Sequence, residues 1–145
     1  MNVLISACLL GVNCRYNGEG QLLEAREALM EKYNLIPICP EIYGGMSTPR
    51  EPAEKKKEKV MTKNGDDVTE YFERGAREVL RLAKLYDCRY AILKERSPSC
   101  GYGKIYDGTF SGNLTDGNGI LAELLVQNGI TVIGESKAGK ISMED

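Results

Sequence analysis

A single α/β domain, with a mostly parallel sheet of about four strands flanked by helices on both faces as in a Rossmann or flavodoxin-like three-layer sandwich, is the fold the sequence predicts. Three observations predict it. Short, almost continuously apolar runs suit strands buried on both faces, helical apolar periods alternate with those runs, and no internal repeat or linker breaks the 145 residues. A chain of this length makes one ordinary domain, burying about two-thirds of the surface its unfolded form exposes. The domain is expected over residues 1–145, with a mobile tail from about residue 136.

The first apolar run is Asn2-Val3-Leu4-Ile5-Ser6-Ala7-Cys8, left at Gly11. A polar, turn-rich loop over residues 14–20 follows, and Leu22, Leu23, Leu29, Met30 and Tyr33 then fall mainly on one helical face. Leu35-Ile36-Pro37-Ile38-Cys39 reads as a second strand, whose proline fits an edge position because it brings no N–H to a ladder. Residues 41–52 have neither period. A long irregular segment of this kind is more often functional than idle. Asn64-Gly65, between 59–62 and 67–69, marks a small hairpin turn.

Asp67 with Glu70 three residues on opens a second helix, and Val68, Phe72, Ala76, Val79, Leu80 and Ala83 carry its period to about Tyr86. Arg89 to Lys94 is the third strand. Residues 105–110 suggest a turn or hairpin, 119–127 a third helix capped by Thr115 or Asn118 and stopped by Asn128-Gly129, and Ile130 to Ile133 the fourth strand. The glycines from 108 to 119 lack a Walker or dinucleotide fingerprint, so turn duty is the better account of them.

Composition excludes several chemistries. Histidine is absent, which removes Ser/His/Asp and Cys/His triads, His-ligated zinc and the usual neutral-pH base. A net charge of −2 gives no overall pull toward nucleic acid or anionic lipid, and the basic run from Lys55 to Lys59 is interrupted by Glu58, as on a solvated loop or helix face. No apolar stretch nears the roughly 20 residues that cross a bilayer, so no membrane association is expected. Five cysteines, odd in number, irregularly spaced and without a secretory leader, lead us to expect reduced thiols in a cytoplasmic protein.

Those cysteines carry the functional signal. Ligands of open parallel sheets bind outside the carboxyl ends of the strands, near the point where strand order reverses. Cys8 ends the first strand, Cys39 the second, and Cys100 lies on the Ser97-Pro98-Ser99-Cys100-Gly101 loop leaving the third, so the three are expected at one sheet edge. Singly, each would pass for a small buried hydrophobe, and Cys88, at a helix–strand junction, keeps that reading. Cys14 stands open between a fourth ligand, a supporting group and a tolerated thiol. Three thiolates suit zinc, an iron–sulfur cluster or redox thiols, and spacing does not choose among them. Tyr16, Tyr43, Tyr102 and Tyr106 lie around the same edge, where one would stack on a planar base or all would pack with wet hydroxyls.

Taken together, Ser6-Ala7-Cys8-Leu9-Leu10-Gly11, Cys14-Arg15-Tyr16-Asn17-Gly18, Cys39-Pro40-Glu41 with Gly44-Gly45 and Thr48-Pro49-Arg50, Gly65-Asp66-Asp67-Val68-Thr69, Ser97-Pro98-Ser99-Cys100-Gly101 and residues 106–112 resemble the DUF523 family over nearly the whole chain. Its characterised members are thiouracil desulfidases. The resemblance implies a 4Fe-4S cluster held by Cys8, Cys39 and Cys100 with one iron open, conversion of 2-thiouracil to uracil and sulfide, and Glu41 and Ser97 as catalytic groups. Glu41 would then deprotonate the attacking water, whereas its plainer role is a solvated carboxylate or a partner of Arg50. Ser97 would bind substrate or pass a proton, or simply satisfy its own turn. The expected partner is a small thiolated base, with thiolated RNA as a further possibility, and the expected state is a monomer or weak homo-oligomer. Two other readings stay open, a zinc or Fe-S protein that only binds a base or thiolated RNA, and a thiol redox sensor.

Overall fold

Strand β1 (Asn2–Ser6) lies inside a four-stranded sheet, between β2 (Asn34–Ile38) and β5 (Tyr90–Leu93), with β8 (Thr131–Gly134) beyond β5. A computed structural model of the chain describes residues 1–140, 142 and 143. All four strands pair in parallel, with Ile5 opposite both Pro37 and Ile92, and Ile92 opposite Ile133. The order β2-β1-β5-β8 puts Pro37 on an edge strand, where its missing N–H costs no ladder bond. It also puts the reversal of strand order between β1 and β5.

Alternation along the strands builds two apolar layers. Leu4, Ile38, Ala91, Leu93 and Val132 pack with Ala76, Val79 and Ala83 of α3 (Thr69–Leu85) and Leu121 and Leu125 of α4 (Ile120–Gln127). Val3, Ile5, Ile92 and Ile133 pack on the other face with Leu29 of α1 (Arg26–Lys32). The three-layer α/β sandwich is thus formed, with a sheet core buried on both sides.

Four local expectations are revised. Helix α1 begins at Arg26 rather than near Leu22, because the N–H groups of Gln21 and Leu23 bond the carbonyls of Cys8 and Leu9 and hold that stretch against the first turn. The basic run is a hairpin, β3 (Ala53–Lys56) with β4 (Lys59–Thr62), which reverses at Lys57-Glu58. Asn64-Gly65 does turn the chain, but a single bridge between Met61 and Asp67 follows it. The stretch from residue 136, expected as a mobile tail, carries a 3-10 turn over Glu135–Lys140 with Ala138 buried, and Met143 is buried as well; residues 141, 144 and 145 of it lie outside the described residues. A second hairpin, β6 (Lys104–Tyr106) with β7 (Leu114–Asp116), fills the region between β5 and α4.

Candidate metal centre

Each of the three strand-end cysteines is held by a different local device. Cys8 lies not on β1 itself but in the 3-10 turn Ala7–Leu10 just beyond it, closed where the Gly11 N–H bonds Cys8 O at φ +90, a left-handed conformation that suits glycine. Cys39 is the extended residue at the start of α2 (Pro40–Tyr43), with Pro40 at the first helical position. Helix α2 rests on α3 at a contact that excludes side chains: a Cβ on Gly75 would stand 1.8 Å from the Pro40 carbonyl oxygen, and one on Gly44 would stand 2.0 Å from that of Tyr71.

Cys100 is held by its own loop and by α4. The Ser97 Oγ accepts the N–H groups of Cys100 at 2.7 Å and Ser99 at 3.3 Å. No side chain caps α4. Its orphan donors are instead taken by the loop, since Ile120 N–H bonds Pro98 O at 2.8 Å and Leu121 N–H bonds Ser99 O at 2.9 Å. Asn118, expected as a cap, accepts the Gly103 N–H and donates to Glu123. The loop that carries Cys100 and the helix that follows it therefore satisfy each other.

Cys8, Cys14, Cys39, Cys100 and Glu41 line one open cavity of about 840 Å³ beside the β1/β5 reversal. Ser97, Tyr16 and Tyr106 line it too, while Tyr43 and Tyr102 do not. Lys94 and Glu135, paired at 2.7 Å, form part of the wall. Glu54 forms another part and holds the 107–113 loop, its Oε1 accepting N–H from both Gly108 and Phe110 at 3.0 Å. From the basic hairpin, Lys55 is spent on the Asn118 carbonyl oxygen at 3.0 Å. Cys88 lies before β5, at the other end of the strand from Cys100.

Burial sets the protonation of the thiols. It pushes Cys8 up to about 11 against the opposing charge of Lys94, and pushes Cys100 well above the usual range. Cys14 and Cys39 form a thiol pair whose interaction lowers Cys14 and raises Cys39. The protons of such a pair come off in two steps that belong to the pair rather than to either thiol. Glu41 is raised by burial against the opposing charge of Arg50. The Arg50 Nη2 donates to Glu41 Oε2 at 3.0 Å and to the Cys14 carbonyl oxygen at 3.0 Å. Glu41 Oε1 and Ser99 Oγ are buried with no partner in normal hydrogen-bond geometry, although the Ser99 hydroxyl is near enough to oppose the rise in Glu41.

Among the described residues, no three Cys, Asp or Glu side chains come together tightly enough to hold one metal ion. A mononuclear zinc site draws its thiolates to about 2.3 Å from one centre, whereas the thiolates of a multi-iron cluster stand further apart around a larger core. Four thiols line the cavity, and three of them, Cys8, Cys39 and Cys100, offer soft donors that fit such a cluster in a chain without histidine.

The family described as 2-thiouracil desulfurase matches residues 3–137. The chain belongs to this family. A relative from Bacillus subtilis (strain 168), named uncharacterized protein YbbK, is 44% identical over 149 residues, covering 96% of this chain and 99% of its own. A solved structure of the [4Fe-4S]-dependent thiouracil desulfidase TudS superposes with a TM-score of 0.90 at 42% identity, covering 94% of this chain and 92% of that one. Of the residues lining this cavity, the sequence points to Cys8, Cys14, Tyr16, Cys39, Glu41, Ser97, Cys100 and Tyr106. It does not point to the wall made by Glu54, Lys94 and Glu135, nor to Ser99 beside Glu41. Lys94 ends the third strand beside the cysteine loop, which is a signal of position; nothing in the sequence marks Ser99 as different from Ser97.

Proposed function

We propose that this protein is a 4Fe-4S-dependent desulfidase that converts 2-thiouracil, or a similarly thiolated pyrimidine base, to the oxo base and sulfide. The observation that carries the reading is the meeting of Cys8, Cys39 and Cys100 around one cavity with a buried carboxylate, Glu41, beside them. Cys8, Cys39 and Cys100 would hold the cluster, which when bound supplies an electrophilic iron with affinity for sulfur. Family membership supports the substrate class, and the free state of all five cysteines supports a reducing, cytoplasmic setting. The described residues include no helix long and apolar enough to cross a membrane.

The chain's own groups account for the proton traffic. Among the described residues Glu41 Oε1 has no partner in normal hydrogen-bond geometry, and such an atom is normally satisfied by water or substrate. It takes a proton from the water that attacks the carbon bearing sulfur; the C–S bond breaks with its electron pair going to sulfur, and the carbonyl oxygen of the product comes from that water. Arg50 fixes the carboxylate through Oε2, and burial raises its pKa toward the operating pH, which makes it a stronger base. Ser97 Oγ already accepts two N–H groups, so its own O–H is left to donate into the cavity it lines.

The test is anaerobic purification with iron and sulfide assays, an absorption spectrum and sulfide release from 2-thiouracil. Iron and inorganic sulfide in comparable amounts with turnover are expected. Zinc in place of iron would overturn the mechanism, and a loaded cluster that releases no sulfide would overturn the substrate.

A further inference from the structure

Cys14 is the thiol in the cavity for which the proposed reaction has no use. It sits on the irregular segment between the first 3-10 turn and α1, where its N–H bonds Val12 O at 2.9 Å and its carbonyl oxygen accepts Arg50 Nη2 at 3.0 Å. Cys39 Sγ lies 3.9 Å from that same carbonyl oxygen, so the Cys39 thiol stands against the backbone of Cys14, and the two thiols interact. All five cysteines are free thiols, so the pair stands close but unjoined.

We propose that Cys14 and Cys39 are a redox modification site: when the cavity is without its cluster they close a disulfide, and this bond withdraws one of the three cluster ligands. The disulfide rests on the geometry of the pair, and its consequence for loading rests on the desulfidase reading above. Shortening the contact to an S–S bond of about 2.05 Å asks movement of the segment carrying Cys14, which no helix or strand constrains, rather than of the sheet. Both thiols line an open cavity, and Cys39 is the more exposed of the two, so it is the one that meets the oxidant first.

With a low-molecular-weight disulfide as the oxidant, the chemistry balances. One protein thiol displaces half of the oxidant as a thiol and forms a mixed disulfide; the other attacks that protein sulfur and releases the second half. The oxidant's S–S bond is broken and the Cys14–Cys39 bond is formed. Two cysteine protons pass to the two released thiols, and two electrons pass from protein to oxidant. In the closed form neither thiol is exposed to the irreversible sulfinic and sulfonic steps of oxidation. A reductant would reopen the pair and return Cys39 for loading.

The test treats the full chain, freed of any cluster with a chelator, with oxidised glutathione, and maps its peptides without reduction. The expected product is one Cys14–Cys39 cross-linked peptide pair, the chain being about 2 Da lighter for two hydrogens lost, with Cys8, Cys88 and Cys100 still open to alkylation. Cross-links of Cys39 to Cys8 or Cys100, or a Cys14 and Cys39 that both stay alkylatable, would overturn the proposal. A second arm closes the disulfide by copper-catalysed air oxidation, which passes the two electrons to oxygen and leaves no mixed disulfide, removes the copper, and offers iron and sulfide. Oxidised wild type is expected to load more slowly than reduced wild type, whereas Cys14→Ser and Cys14→Ala, treated alike, load as fast as their reduced forms. Equal loading of oxidised wild type and both variants would overturn the ligand-withdrawing role. Failure of reduced wild type to take up iron would instead count against the cluster reading, with the peptide map still deciding the disulfide.

Discussion

Arg50 Nη2 holds Glu41 Oε2 at 3.0 Å inside the cavity wall, where the two side chains are 8% and 17% exposed. A buried ion pair adds little net stability over an apolar pair of the same shape, but removal of one partner leaves an uncompensated charge that costs about 3–5 kcal/mol. Arg50→Ala is therefore expected to lower the urea midpoint sharply and to abolish turnover, since Glu41 loses both its neutralising charge and its fixed orientation. Glu41→Gln keeps a hydrogen-bond acceptor for Arg50 and removes the base, but it leaves the guanidinium uncompensated, so it too is expected to lower the urea midpoint. That variant is expected to retain the iron content and absorption spectrum while losing sulfide release; normal turnover in it would remove Glu41 from the mechanism.

Gly75 tests whether the site depends on helix packing distant from the chemistry. An alanine Cβ there would meet the Pro40 carbonyl oxygen at 1.8 Å, and backbone cannot yield as a flexible side chain does. Gly75→Ala is expected to push α2 off α3, to cost about 1–3 kcal/mol as overpacking does, and to lower iron content because Cys39 and Glu41 ride on α2. Arg81→Ala on the exposed face of the same helix is the control, expected within about 0.5 kcal/mol of wild type with unchanged iron.

The parts of this molecule that were legible in the sequence are those set by period and by chain breakers. The apolar runs from Val3, Leu35, Ala91 and Val132 announced the sheet, and the topology then carried Cys8, Cys39 and Cys100 to one edge. What the sequence did not disclose depends on long-range bonds. The irregular stretch at 21–23 is decided by carbonyls of the first turn, and the cap of α4 is supplied by Pro98 and Ser99 rather than by a neighbouring side chain. Likewise the partner of Glu41 was only one of its candidate roles, because residues 41 and 50 are joined by a fold of the intervening loop that has no period to read.

Glu95 supplies a pH dependence. Burial raises its pKa, but hydrogen bonds from Ser136, whose N–H lies 2.6 Å from Oε1, outweigh that and hold it below the ordinary value. A carboxylate with a lowered folded pKa adds stability that is fully present above its unfolded value, about 4.3, and is lost as pH falls through the folded one. Urea unfolding of wild type and Glu95→Gln across pH 3 to 6, given as about the range that brackets that value, is expected to show the largest difference at the upper end and a shrinking one toward the lower. A constant difference would mean that Ser136 does not select the charged form.

Cys88 and Cys100 bracket β5, one before the strand and one after it, and both are buried. Burial alone therefore cannot distinguish a ligand from a core thiol; position relative to the carboxyl edge can. Cys88 packs with Ala83, Ala91 and Ile130 in the apolar layer under α3 and α4. Cys88→Ala removes one sulfur from that layer and is expected to cost about 1 kcal/mol, in line with a small core deletion, while leaving iron and sulfide content unchanged. Cys100→Ala, Cys39→Ala and Cys8→Ala are each expected to lose the cluster absorption and most of the bound iron, because a site with three protein ligands has none to spare. If Cys88→Ala lost iron as fully as Cys100→Ala, the loss would reflect general loosening of the core, and the assignment of the three carboxyl-edge thiols as the ligand set would have to be abandoned.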